Sequence, residues 1–429
     1  MADDRAVPTG RLGRFAKLVG VGARTGASLL FSKDGGGAAE HAAEVLGSLR
    51  GLAAKVGQMA SYVDGFVPEA HREAYSRALG SLLAAAPRSS FAAIRTVIES
   101  ELGSAVEDLF AEFEHEPFAS ASIGQVYRAR LHDGRPVAVK VQHPGIEQAI
   151  ESDLRNASVM QGVVGMLAPK SFDVKGIYEV VRARFREELD YVLEADRQEW
   201  FTRLHAGDAA IRIPVIVRER SSKRVLTSEL ATGRTLDEIM GDPADRRRFH
   251  VETMWRFVFR GILQGGMFNA DPHPGNYIFG DDHVVFLDFG CVQPVEGDVL
   301  ACARTMHRAA IDHDEAGFRR GCAGMLGTRG GAYEEAVLGY TRRGFSPLFD
   351  SPYRIRPEFV ASNVREIQAL KKLVLTREES VVGMPPALLF MNRLQFGFFS
   401  VIAKLDVQVD FAAIERELLD GVDATRAPA

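Results

Sequence analysis

The sequence predicts a bilobal α+β fold, with a strand-bearing lobe, a mostly helical lobe after it, and a helical extension in front. Three observations predict it. At 429 residues the chain is long enough for two lobes plus an extension and can bury a large core. Apolar residues alternate on both sides of Asp133-Gly134, the pattern of a half-buried β-hairpin with a two-residue turn. Beyond Gly233 the periodicity turns helical, interrupted by short strands near Tyr277–Phe279 and Val284–Leu287.

Taken in order, residues 1–37 form a basic segment in which Arg11, Arg14, Lys17, Arg24 and Lys33 interleave with Leu12, Phe15, Leu18 and Val19. Such a segment packs on the body of a protein or lies on an anionic membrane surface, packing being the commoner outcome. Gly35-Gly36-Gly37 breaks the chain before a helical extension over 38–115, beginning with a run from Ala38 to Val63. Pro68 and Pro87 punctuate it, and Phe91–Leu102 has helical spacing behind a cap at Ser89 or Ser90. Residues 116–230 form the strand-bearing lobe, with inserted helices. Its strands fall at Gln125–Leu131, Pro136–Gln142, Ile213–Glu219 and Arg224–Glu229, and its helices at Ile146–Met166 and Lys175–Leu204. The helical lobe spans 231–429 and includes a helix over Gly297–Ala310.

Composition removes several classes of function. A net charge of -5 lacks the basic excess of a nucleic-acid binder. Cys291, Cys302 and Cys322 make no CxxC pair and read as reduced thiols, not a disulfide frame or zinc site. The start, Met1-Ala2-Asp3-Asp4, is acidic where a secretory signal is basic. Asn392, Arg393 and Gln395 interrupt the most apolar stretch, Pro385–Ala403, which reads as a buried helix and not a membrane span. A soluble chain is expected.

The chemistry concentrates in two short segments. Asp271-Pro-His-Pro-Gly-Asn276 is followed, past a short hairpin, by Asp288-Phe-Gly290. An Asp with Asn five positions on, then a strand ending in Asp-Phe-Gly, is the catalytic-loop and metal-loop pair of protein kinases. Phosphoryl transfer needs Mg²⁺ on hard oxygen ligands, which Asn276 and Asp288 supply, while Asp271 orients or deprotonates the attacking hydroxyl. The tripeptide alone is weak; with the spaced Asp and Asn it is strong.

Upstream, Val137-Ala138-Val139-Lys140 lies on the second hairpin strand, as does the kinase lysine that reaches the α/β-phosphates. Ala119, Ser120, Ala121, Ser122, Ile123, Gly124 and Val126 occupy the place of the glycine-rich loop. The third glycine and the valine are kept, and alanines replace the first two glycines. Alanine is penalised at positive φ, so a stiffer loop is expected. Cofactor-binding positions are also expected at Ala138, Glu229 and Ala231. On the helix over 175–204, the acids Glu187, Glu188, Asp190 and Glu194 are candidates to pair with Lys140. Asp190 and Glu194 share a face at i, i+4, and Glu188 lies about 160° from Asp190 on an ideal helix. After Gly290 no Ala-Pro-Glu follows, which argues against a peptide substrate.

With these residues assembled, the sequence resembles the UbiB/ABC1/ADCK (AarF) family of atypical, protein-kinase-like proteins. Lys55-Val56-Gly57-Gln58, matching that family's KxGQ motif, is the decisive feature. The resemblance implies a bilobal protein-kinase-like fold whose KxGQ extension covers the peptide site, with Lys55 and Gln58 facing the active site and contacting the ExD motif, Glu188-Leu189-Asp190. It also implies that Glu194 pairs with Lys140, and that ATP and Mg²⁺ are the cofactors. Asn269 stands where many bacterial members have His two residues before the catalytic Asp, and can buttress the loop in its place.

The expected function is a UbiB-type kinase or ATPase that supports isoprenoid-quinone (ubiquinone) biosynthesis or lipid homeostasis, and is not an ordinary protein kinase. Two alternatives stay open: a nucleotide-gated lipid-binding or scaffold protein with slow turnover, and a small-molecule kinase of the aminoglycoside or choline kinase type. Expected partners are ATP and a lipid or isoprenoid-like small molecule, with no nucleic acid. A homodimer and peripheral contact with the inner face of a membrane by a cytoplasmic protein are both compatible with the resemblance. Ala119→Gly is expected to change ATP and ADP binding more than fold stability, as titration of both nucleotides beside a thermal melt will read.

Overall fold

Alternation along 124–142 produces a sheet with two chemically different faces. The structure, a computed structural model, describes residues 89–120, 123–152, 154, 174–295, 297–327, 330–363, 365–366 and 386–426. They fall into two units, one holding residues up to 154, 174–193 and 216–230, the other 194–215 and 231 onward. Residues 194–215, grouped above with the strands, thus belong to the second unit. The basic segment 1–37, the KxGQ run and most of the insertion after Ile146 lie outside the described residues.

In the first unit, β1 (Glu112–Phe113), β2 (Ala119–Ser120), β3 (Gly124–Arg130), β4 (Pro136–Gln142) and β6 (Val225–Glu229) form one antiparallel sheet; β5 (Ile211–Arg212) belongs to the other unit. Its order is β1-β3-β4-β6, with β2 also on β3. Tyr127 and Ala129 of β3, Val137, Val139 and Val141 of β4, and Val225 of β6 point to one face and are buried there. Helix α1 (Phe91–Leu102) covers that face with Ile94, Val97 and Ile98. Ser90 caps α1, its Oγ accepting from Ala93 N, while Ser89 is spent on Gln125 and His143.

Three sequence expectations change here. The hairpin loop is not a two-residue turn: Leu131 N donates to Arg135 O, and Gly134, at φ +89°, closes a three-residue loop. The Asp133 carboxylate accepts from Arg135 N and stabilises it. The helix expected over 175–204 is two, α2 (Val174–Glu188) and α3 (Tyr191–Leu204). Asp190 stands at the break and caps α3, Oδ1 accepting from Val192 N and Leu193 N, so the straight-helix angle between Glu188 and Asp190 does not apply. The strand expected over 213–219 is replaced by β5, one bridge at Ile216 and a 3₁₀ turn at Arg218–Arg220. Pro214, inside that run, has no N–H for a ladder.

The second unit is built on α4 (Ala244–Arg260), whose Val251, Met254, Trp255, Phe257 and Val258 are buried. A π-helical stretch, Gly261–Gly265, follows it and turns into β7 (Met267–Asn269). A Cβ on Gly261 would lie 2.7 Å from Met267 O, so glycine permits this close return. Hairpin β8 (Tyr277–Phe279) and β9 (Val284–Phe286) follows, then β10 (Val292–Pro294), which pairs with β7. The pairing of β7 and β10 was not foreseen, because three-residue strands carry too little alternation to register. Helices α5 (Gly297–Ile311), α6 (Glu315–Leu326), α7 (Gly331–Gly344), α8 (Pro386–Leu405) and α9 (Phe411–Arg426) complete the unit. No described helix is long and apolar enough to cross a membrane. Glu415 of α9, fully buried, accepts from Trp255 Nε1 at 2.9 Å and lies 2.5 Å from His307 Nδ1, tying α9 to α4 and α5.

Two outcomes follow from this packing. Glu415→Ala leaves Trp255 and His307 without their shared carboxylate and should cost about 3–5 kcal/mol, with Glu415→Gln milder, both read by denaturant titration. Gly124→Ala would bring a methyl within 2.4 Å of Val141 O, and the rigid strand backbone makes a loss of about 1–3 kcal/mol the expectation in the same assay.

Candidate active site

Hairpin β8–β9 has Asn276 immediately before it and Asp288 shortly after it, so closing the hairpin brings the two together. Leu287 N donates to Asn276 O at 2.9 Å and holds the stems side by side. Pro274–Asn276 is a 3₁₀ turn, capped by His273 Nδ1, which accepts from Gly275 N. Asn276 Nδ2 donates to Asp271 O at 3.1 Å and to Asp271 Oδ2 at 3.2 Å. Asp288 sits at φ +58°, a left-handed conformation unusual for a non-glycine residue, and its Oδ1 accepts from Gly290 N at 3.0 Å. Strain of this kind gathers at functional sites.

Asn269 spans the two loops. Its Nδ2 donates to Asp288 O at 2.8 Å and its Oδ1 accepts from Asp271 N at 3.0 Å. The buttress expected at this position is present. Phe289 is fully buried, its ring 5.1 Å from Phe201 of α3, and Phe286 stacks on Phe257 of α4 at 3.7 Å. Helix α3 also supplies Glu194, only 3 % exposed, and Arg197, whose Nη1 donates to Gly290 O at 3.0 Å. A Cβ on Gly290 would lie 3.2 Å from Asp288 Oδ1 and 3.5 Å from Glu194 Oε2, so both carboxylates border the glycine. Asp271 adds to burial in pushing the Tyr277 hydroxyl well above the usual tyrosine range.

The first unit carries the other candidates. Ala119, Val126, Lys140 and Leu226 stand in one row across the sheet, on the face opposite α1. Ala138 shares that face, between Arg128 and Ser228. The Lys140 ammonium lies 5.0 Å from the centre of the Tyr191 ring, a cation–π contact. Glu229 stands opposite Val137 and so points to the other face, away from Lys140. Ala119 and Ser120 are strand residues, and Ala119 is extended, so the positive-φ penalty expected of it does not arise. Ala121 and Ser122 lie outside the described residues, as do Lys55 and Gln58. Gln142 Nε2 donates to Leu189 O at 2.9 Å and Tyr191 N to Lys223 O at 3.0 Å, fixing the helix break that carries Glu188 and Asp190.

The structure therefore groups Asp271, Asn276, Asp288 and Glu194 in the second unit, and Ala119, Val126, Ala138 and Lys140 in the first; Ala231 begins the second unit's main segment. Sequence reading missed Arg197 and Tyr191. Arg197 could have been found at i+3 from Glu194, but Tyr191 sits beside the helix break, which left no periodic signal.

Comparison with known proteins identifies the family. The ABC1 atypical kinase-like domain matches residues 81–320. Atypical kinase coq-8, mitochondrial, of Caenorhabditis elegans is 28% identical over 395 residues, 89% of this chain and 50% of that protein. Atypical kinase COQ8B, mitochondrial, of Rattus norvegicus is 31% identical over 332 residues, 72% of this chain and 62% of its own length. The chain thus spans about half to three-fifths of these relatives. Among solved structures, the Rv3197–erythromycin complex from Mycobacterium tuberculosis has a TM-score of 0.62 at 25% identity, covering 94% of this chain and 98% of that one. With the domain match extending over more than half of its length, this chain belongs to the ABC1 atypical kinase-like family, the UbiB group of atypical kinases.

Proposed function

We propose that this protein binds Mg-ATP and turns it over as an atypical kinase or ATPase that serves a small lipid- or isoprenoid-like molecule and not a protein substrate. The observation that carries the reading is the joining of Asp271, Asn276 and Asp288 through Asn269 and the β8–β9 hairpin. The donors fit Mg²⁺. Asn276 spends its amide nitrogen on Asp271, so the carbonyl oxygen is the donor it can offer a metal, and Asp288 adds a carboxylate. Two hard oxygen donors are what Mg²⁺ takes from a protein when phosphates and water complete its shell.

Bound Mg²⁺ would neutralise charge on the phosphates. The chain's own groups then have separate tasks. Lys140 presents an ammonium to phosphate, and Asp271 is held to accept the proton of an attacking hydroxyl or water. Glu194, Glu188, Asp190, Lys55 and Gln58 are proposed to have the supporting roles that the family resemblance implies for them. Support for a non-peptide acceptor comes from the path after Gly290, where β10 leads straight to α5 with no room for a peptide-holding loop. The Rv3197–erythromycin complex adds an example of a small-molecule ligand on this fold. The quinone or lipid role rests on the family resemblance, as do peripheral membrane contact and a homodimer.

Purified protein should bind ATP only with Mg²⁺, and Asp288→Asn should lower turnover on the order of 10²-fold, a loss typical of a removed charge-stabilising group. The assay is ATP hydrolysis with and without anionic-lipid vesicles, where stimulation by vesicles is the expected sign of a lipid-linked role. Equal turnover by both proteins, or no Mg-ATP binding by the unaltered one, overturns the reading.

A further inference from the structure

Helix α8 contains one glycine among its described side-chain positions, Gly397, and its surroundings explain why. A Cβ built there would lie 2.3 Å from Pro272 Cγ and 3.2 Å from Pro272 Cβ. No real Cβ contact is that short, so the α8 backbone rests directly on the ring of the residue after Asp271. Glycine inside a helix costs about 1 kcal/mol relative to alanine, and helix propensity alone would not place one there. The close approach does.

Both partners are packed by their neighbours. The residues beside Gly397 are locked: Phe396, Phe398 and Phe399 are buried, and the last two lie 5.9 Å from the Trp255 ring of α4. Farther along α8, Leu405 O accepts from Arg247. On the other side, Pro272 is buried, its ring holds φ near -65°, and it keeps Asp271 out of the helical region. Asp271 N is tied in turn to Asn269.

We infer that Gly397 is a positioning residue: the bare backbone of α8 is the surface against which Pro272 seats, and this contact sets the height of Asp271 in the catalytic loop. Any side chain at 397 moves Pro272, and Asp271 moves with it. The inference rests on the Mg-ATP reading above, because that reading makes the placement of Asp271 matter.

The test compares unaltered protein, Gly397→Ala, Pro272→Ala and the double variant, with Mg-ATP binding stoichiometry by calorimetry, kcat and KM measured for each. Gly397→Ala should keep its binding stoichiometry and KM while kcat falls about tenfold or more, the order expected for a displaced reacting group. Pro272→Ala removes the Cγ atom, so the double variant should recover to the kcat of Pro272→Ala alone. A loss of folded protein on Gly397→Ala that Pro272→Ala reverses supports the same contact. If Gly397→Ala turns over like the unaltered protein, or if the double variant multiplies the two losses, the inference fails while the Mg-ATP reading stands. If the unaltered protein binds no Mg-ATP, that reading fails and takes the inference with it.

Discussion

The candidate site of the second unit depends on one carboxamide. Asn269 donates to Asp288 O and accepts from Asp271 N, so one side chain reaches both loops, beside the backbone bonds from Leu287 N to Asn276 O and from Ala270 N to Cys291 O. Apart from the 3₁₀ turn at Pro274–Asn276 the loops have no regular structure, and backbone outside a ladder is satisfied by side chains and single backbone bonds. Around this bridge the remaining contacts fall into place. Asn276 anchors to Asp271, Leu287 to Asn276, and Asp288 to Gly290. The left-handed backbone at Asp288 persists because these bonds over-determine it.

Apolar packing supplies what the hydrogen bonds cannot, a rigid floor. Phe289 and Phe286 reach down to Phe201 and Phe257, coupling the metal-loop segment to α3 and α4. Each ring removes a large apolar area from water, at roughly 25 cal/mol per Å². Helix α3 then serves twice in this unit, packing through Phe201 and reaching Gly290 through Arg197. In the first unit the sheet divides its labour by face. The α1 side is apolar core, and the opposite side carries Ala119, Ala138 and Lys140 in register. A strand's period of two makes that division automatic once register is set.

Much of this was legible beforehand where a physical rule links neighbours in sequence. The β3 and β4 strands, α1 with its serine cap, the β8–β9 hairpin and the paired Asp271–Asn276 and Asp288–Gly290 segments each rest on local periodicity or fixed spacing. Other features were misread for an equally physical reason. Residues 175–204 read as one helix because nothing in their periodicity shows that Gln142 will bond Leu189, or that Asp190 will cap a second helix. The strand expected over 213–219 ignored what Pro214 does to a ladder.

By itself, then, the sequence determined which residue types meet the chemistry: two aspartates and an asparagine at kinase spacing, and a lysine on a strand. Spacing along a chain is a covalent property, and it survives in any conformation. Only tertiary structure decided that Asn269 bridges the two loops, that Tyr191 lies by Lys140, and that Gly397 seats against Pro272. These contacts join residues distant in sequence or turned by an unforeseen break. Their geometry comes from how whole elements pack, which no local pattern records.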